Sequence, residues 1–316
     1  MAQVSGTHST YDAVGNREDL SDIIYDISPT ATPVLSALPK KKATSTKHEW
    51  QKRALAAASG ANFVIEGDDA TADTAIVTTR LDNRCGISDK VAIVSGTQEA
   101  VDSAGRRSEM GMQMQTKMQE LKRDVETALL QNVAKVTGND TLARKVGGLQ
   151  AWVKTNTNIA SDATASAGDG TTAHTDGTAR ALTETMFEDV LATAWNSGGN
   201  PSMGVINSFQ KRKVASFSGN STRTQEVGKG NKLVNSVDVY CDPLGTEVQL
   251  YPDHFVPADV VFFIDQDAAA FATLRDFNTK DLAKTGDAEK KQILVEWTLE
   301  CGNEAAHAGI YDLTTS

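Results

Sequence analysis

Acid–base or metal chemistry would first be sought at the histidines, His8, His48, His174, His254 and His307. A zinc site takes its ligands at short helical or hairpin spacings such as HExxH or CxxC. These five lie far apart in unlike contexts, and none falls in such a pattern. Cys85, Cys241 and Cys301 are as scattered and form no CxxC pair. Their odd number, with no export signal over residues 1–10, leads us to expect reduced, buried thiols in a cytosolic setting. No GxSxG occurs, no GxGxxG follows a strand, and residues 228–232 (GKGNK) lack the upstream Gly and the Ser/Thr of a phosphate loop. We therefore assign no catalytic, cofactor-binding or metal-ligating residue.

Two clusters invite chemistry and fit a plainer role better. Glu66, Asp68, Asp69 and Asp73 do not follow the ligand order of a calcium-binding loop, and sit among Gly, Asp and Ala as a solvated loop would. Met110, Met112, Met114 and Met118 resemble a soft-metal set, yet methionine most commonly fills gaps in a core. Charge excludes a further class. The formal net charge is −10, whereas a chain that grips nucleic acid neutralises phosphates with Lys and Arg. Proximity to nucleic acid without adhesion stays open. The longest apolar run, 260–264, is far too short to span a membrane.

The elements that would position side chains are easier to read. Residues 103–136 hold no Pro, and Met114, Met118, Leu121, Val125 and Ala128 recur at helical steps. Asp102 or Ser103 would cap this helix and Gly138-Asn139 would stop it, giving a spine roughly 50 Å long. Upstream, Asn16 would cap a short helix striped by Leu20, Ile23, Ile24 and Ile27. A Pro-rich arm follows. Strands are expected over 47–55, 74–81 and 90–94, with 59–73 as a projecting hairpin tip.

Beyond the spine, 154–181 reads as a long surface loop or loosely ordered flap. Thr185-Met-Phe-Glu188 would form a capping box opening a helix with Phe187, Val190, Leu191, Ala194 and Trp195 on one face. A buried strand over 203–207 and a helix over 208–217 come next. The turn Asp242-Pro243-Leu244-Gly245 predicts a hairpin joining Val237, Val239 and Cys241 to Val248 and Leu250. Asp265 or Asp267 would cap the Ala-rich stretch after it. Ile293, Val295, Trp297 and Leu299 alternate as a strand, and 304–313 would close the chain as another.

The ordered set NREDLSDIIYDISPTATPVLSAL, HEWQKRAL and VAIVSGTQEAVDSAGRRSEMGMQMQ resembles a subgroup of tailed-bacteriophage major capsid proteins of the Hong Kong 97-type fold. The resemblance implies an α+β protein. Its parts would be an N-terminal arm (1–45), an extended hairpin loop (46–95), a peripheral domain with the spine helix (96–149), an axial domain (150–264) and peripheral C-terminal strands (265–316). It implies a non-enzymatic subunit assembling as hexamers and pentamers into an icosahedral shell around double-stranded DNA, in the virion and built in the host cytoplasm. Portal, scaffold or decoration proteins would be its partners, with no cofactor and no membrane. Trp50, Arg53, Phe63, Arg80 and Arg84 are the expected intersubunit contacts from the hairpin. The alternatives are the shell of a cargo-storing nanocompartment of the same fold, or a cytosolic hydrolase whose site forms only in three dimensions.

Overall fold

A computed structural model of the chain describes residues 28–69, 73–101, 106–217 and 238–315. The helix expected over 16–27, the capping candidates Asp102 and Ser103, and Val237 lie outside them. In chain order the elements are α1 (Pro33–Ala37), β1 (Lys40–Lys42), β2 (Lys47–Lys52), β3 (Thr79–Arg84), β4 (Gly86–Ser95), α2 (Gly96–Ala100), α3 (Glu109–Leu130) and α4 (Leu149–Trp152). There follow β5 (Thr157–Asn158), α5 (Glu184–Asn196), β6 (Met203–Ile206), α6 (Ser208–Val214), β7 (Val239–Cys241), β8 (Glu247–Pro252), β9 (Val261–Ile264), β10 (Ala269–Asp281), β11 (Ala288–Cys301), a 3-10 turn Glu304–Ala306 and β12 (Ala308–Ile310). They make a four-stranded sheet β1-β10-β11-β4, a six-stranded sheet β5-β12-β9-β6-β8-β7 and a ribbon β2-β3.

The spine is α3, and it is shorter than the periodicity suggests: 22 residues, about 33 Å. Its cap is Ser108, whose hydroxyl accepts from Gly111 N–H. The helix stops at Leu130 for a tertiary reason. Asn132 donates to the carbonyl of His174 and accepts from its N–H, at 2.7 and 2.8 Å. Gly148 packs so closely on the Gln131 carbonyl that a Cβ there would lie 2.0 Å from the oxygen. Both contacts need extended backbone at 131–132. Leu121, Val125, Leu129 and Leu130 share one core with Ile293, Val295, Trp297 and Leu299 of β11. Met110 packs on Ala92 and Val94 of β4, with Met114 against both groups, so these methionines are packing.

A second core lies between α5 and the six-stranded sheet. Phe187 meets Phe217, Tyr240 and Phe263 edge-on at 4.9–5.6 Å between centroids. The cap of α5 is Thr183, not Thr185: its side chain accepts from Met186 N–H. Phe187, Val190, Leu191 and Ala194 are buried, while Trp195, in the last turn, is 56% exposed. The expected hairpin is β7-β8, closed by Gly245 N–H donating to the Asp242 carbonyl at 2.8 Å. Its phase is the reverse of the expected one. Tyr240 points inward onto Phe187, so Val239 and Cys241 face out. Only Cys85 and Cys301 are the buried thiols expected of all three; burial pushes the Cys85 thiol up to about 11.

Three further expectations change. Residues 269–272 are strand, not a capped helix, because they pair with the central strand β11 (Ala269↔Cys301 to Ala272↔Thr298), and that pairing overrides alanine's helix preference. The segment 154–181 is no loose flap: Asn156, Ser166 and His174 are buried, and Thr164 bridges Thr175. The chain's end does not form the one strand expected over 304–313. The turn Glu304–Ala306 interrupts it, and β12 pairs with β9 of the six-stranded sheet. The unit expected over 265–316 therefore divides between the two sheets.

The arm packs on the spine through Val34, Leu35 and Leu38, and one side chain of the spine completes α1. Thr32 offers α1 no side-chain cap; instead Glu126 of α3, fully buried, accepts from Val34 and Leu35 N–H at 2.8 Å each. Burial raises the Glu126 carboxyl to about 7, opposed by those two N–H groups and aided by neighbouring Asp253. The Asp253 carboxyl is also raised, chiefly by burial. A carboxyl raised on folding holds more protons in the folded state, so its contribution to stability is complete below its ordinary pKa of 4.5 and falls as pH climbs through about 7. Glu126→Gln should flatten this decline in urea unfolding between pH 5 and 8. Glu126→Ala, which orphans two buried N–H groups, should cost about 2–4 kcal/mol and open the arm to protease.

Candidate intersubunit surface

Along β11, Ile293, Val295, Trp297 and Leu299 face α3, and the opposite row Leu294, Glu296, Thr298 and Glu300 is buried too. On that second face the two carboxylates meet charged side chains. Glu296 accepts from Arg144 at 2.6 Å and Arg275 at 2.8 Å. Glu300 meets Lys41 of β1 and His48 of β2, both at 2.8 Å. Burial alone would raise the Glu300 carboxyl, but the hydrogen bonds from His48 and Lys41 outweigh it and hold the pKa below the ordinary value. Asn83 of β3, wholly buried, donates to the carbonyls of Leu299 and Gly147 and accepts from Gly147 N–H. Arm strand and ribbon are thus fastened to the same strand by charge-assisted and amide bonds, which are directional.

The ribbon pairs from Lys47↔Arg84 to Lys52↔Thr79. Only its root is buried. Trp50 lies on Trp152 with centroids 5.2 Å apart, and Trp152 is fully enclosed. Lys135 Nζ sits over the Trp152 ring and donates to the Asp82 carbonyl. Gly170, at φ +74°, completes the pocket: a Cβ there would approach the Trp152 ring to 2.8 Å.

Past the ribbon, every described residue over 53–78 is exposed and none is in a helix or strand. Phe63, Val64 and Ile65 are 79–89% exposed, with Leu55 and Val77 close to that. Glu66, Asp68, Asp69 and Asp73 flank them, also exposed. A second apolar strip, Ile87, Val91 and Ile93, faces outward on β4, an edge strand of the four-stranded sheet. A run of large apolar side chains on a projection that buries none of them marks an interaction surface.

The five residues expected at contacts are not brought together. Phe63 is at the exposed tip and Arg53 is exposed just beyond β2. Arg80 is largely exposed, 3.7 Å from Glu49. Arg84 is mostly covered and lies 3.9 Å from Asp82, while Trp50 belongs to the subunit's own core. Val64, Ile65, Leu55 and Val77 share Phe63's situation without having been singled out. An unbroken apolar triplet inside a Gly/Asp-rich loop is the sequence signal that marks them.

Comparison with known proteins gives the family and the fold. A family model described as "SU10 major capsid protein" matches residues 3–314. The major capsid protein of Escherichia phage Phieco32 is 27% identical over 339 residues, spanning 96% of each chain. Among solved structures, the cyanophage A-1(L) capsid asymmetric unit is similar with a TM-score of 0.66 at 13% identity, over 98% of this chain and 99% of that one. The holo-SrpI encapsulin complex of Synechococcus elongatus PCC 7942 is similar with a TM-score of 0.57 at 10% identity, over 96% and 94%.

The lowered carboxyl of Glu300 gives stability that is present above 4.5 and lost as pH falls below it. Glu300→Gln should therefore be less stable than wild type at pH 7, by about 1–3 kcal/mol for weakened bonds to charged groups. In denaturant titrations that deficit should shrink steadily as the buffer is made more acid than 4.5. An equal deficit at all pH values would show that Glu300 acts by packing alone.

Proposed function

The chain belongs to the SU10 major capsid protein family, and from that premise we propose how this phage capsid subunit, which has the Hong Kong 97-type fold, builds its shell. The family is a structural one, not an enzyme family, and its product is the virion capsid. No helix among the described residues is long and apolar enough to cross a membrane.

The finer reading is ours. Subunits gather as hexamers and pentamers. The finger over 46–85 lies across a neighbouring subunit, where Phe63 and its exposed apolar companions are buried, flanked by Arg53 and Arg80. Trp50 and Arg84 serve the same contact indirectly, by fixing the finger's root. The four-stranded sheet with α3 forms the peripheral domain, and the six-stranded sheet with α5 and α6 forms the axial domain towards the capsomer centre. The shell encloses double-stranded DNA, and its acidic balance of −10 suits a wall that does not adhere to what it holds. Portal, scaffold and decoration proteins join it during assembly in the host cytoplasm.

The observation that carries the reading is the exposed finger on a chain matched end to end by a capsid family. A cargo-storing compartment shares the fold, but the family model and the curated relative that this chain matches are both capsid proteins. Burying Phe63, Val64 and Ile65 is worth roughly 5–9 kcal/mol gross, against an association cost of about 4–15 kcal/mol. The two ranges overlap, so one finger holds a pair of subunits only weakly. Many fingers, each backed by other contacts in a closed shell, hold them firmly.

The test is the triple variant F63S/V64S/I65S. Each change sits on an exposed side chain, so each should shift urea stability by no more than about 0.5 kcal/mol. Light scattering and negative-stain imaging should show concentration-dependent hollow polyhedra for the wild type and none for the variant. Normal shells from the variant would remove the finger from the assembly contact.

A further inference from the structure

One cluster of side chains plays no part in the finger, the arm or either core. His174 and Asp176 lie in the segment between β5 and α5, and Asp312 follows β12. The side chains of His174 and Asp312 are wholly buried, whereas Asp176 is 64% exposed. His174 Nε2 is 3.1 Å from Asp312 Oδ1 and 3.8 Å from Asp176 Oδ1. One donor atom from each residue falls within 4.8 Å of the others, and no other trio of this kind occurs among the described residues.

These separations have a chemical meaning. Around a tetrahedral ion with bonds of about 2.0–2.2 Å, neighbouring donors stand roughly 3.3–3.6 Å apart, and the two measured distances bracket that range. The groups are also held in place before any ligand arrives. Asn132 clamps the His174 backbone on both sides, and the ring rests on Tyr311 with centroids 5.1 Å apart. Asp312 accepts from Ala160 N–H through one oxygen and Gly177 N–H through the other, each at 2.9 Å. Nε2 donates to Asp312 Oδ1, while Nδ1 of this fully buried imidazole has no hydrogen-bond partner, so a cation taken up at Nε2 would replace that one hydrogen bond and shift the proton to Nδ1.

The local charge favours a cation. Asp259 is close enough that the negative charges of Asp176 and Asp312 add to burial in raising its carboxyl. Arg180 opposes them from the Asp312 side, with its guanidinium hydrogen-bonded to the Tyr311 carbonyl. An imidazole nitrogen with carboxylate oxygens suits zinc, manganese or their first-row neighbours better than calcium.

We propose that His174, Asp176 and Asp312 bind a first-row divalent cation that staples the segment between β5 and α5 to the C-terminal strand. His174 Nε2 and one oxygen from each aspartate are the ligands. Water takes the remaining position on the exposed Asp176 side. The competing occupant is a proton, which would make His174 an imidazolium between the same carboxylates.

The purified full chain, stripped with a chelator, would be titrated with Zn²⁺ by calorimetry and with Co²⁺ by visible absorption. One equivalent per chain and the intense d–d bands of four-coordinate cobalt are expected, with a Zn²⁺-dependent rise in Tm. Asp176→Asn alters an exposed side chain and should fold normally while weakening binding at least about tenfold and abolishing the Tm rise. His174→Gln should remove the cobalt bands; should it fail to fold, Asp176→Asn alone decides. Weak binding of several equivalents, unchanged in Asp176→Asn, would overturn the proposal. So would a chain whose Tm ignores Zn²⁺ while His174 titrates as an imidazolium by NMR.

Discussion

Two carboxylates on the second face of β11 set the geometry from which everything else in this subunit follows. A strand buried on both faces usually meets apolar side chains on each. Here one face meets the spine, and the other meets Lys41, His48, Arg144 and Arg275 through Glu296 and Glu300. Apolar contact is non-directional and would let the arm and the ribbon settle in several poses. Charge-assisted hydrogen bonds fix one pose. Removing either carboxylate would take away two charge-assisted bonds at once, although Lys41 and Arg275, 54% and 44% exposed, could turn to water.

The same economy appears at the arm. A five-residue helix has no stability of its own, and the side chain that completes it comes from the middle of α3. Glu126 accepts two backbone N–H groups that Thr32 leaves unmet, so the arm's first described turn is built only when it lies on the spine. Asp253, beside Glu126, adds to the cost of charging it. Besides those two bonds the arm is held by burial of Val34, Leu35 and Leu38 in the core and by pairing of β1 with β10.

Local periodicity carried far in the sequence, and its failures share a cause. The buried stripe of α3, the inward row of β11, the face of α5 and the turn Asp242–Gly245 were all legible, because each depends on residues a few positions apart. The end of α3 was not: it is set by Gly148 and His174, residues distant in sequence. The phase of β7 reversed because Tyr240 found Phe187, and residues 269–272 became strand because β11 needed a partner. For the surface, the projecting loop and Phe63 could be read, but Trp50 looked the same as Phe63 until Trp152 was seen to cover it. The trio His174, Asp176 and Asp312 could not be found by spacing at all, since 136 positions separate its last two members.

A finger that exposes Phe63, Val64 and Ile65 must avoid two fates, collapse onto its own subunit and premature aggregation. The first is met at the root, where the directional bonds to β11 and the Trp50–Trp152 contact hold the ribbon in place. The second is met at the tip. Glu66, Asp68, Asp69 and Asp73 follow the apolar triplet with one sign of charge, so two free tips that meet head-on repel. That repulsion reaches about 8 Å at physiological salt, so it is felt when two tips meet head-on. It need not operate when a tip lands elsewhere on a neighbour, beside groups of other sign. Apolar area thus supplies the attraction, and the acidic stretch after it restricts where it can be used.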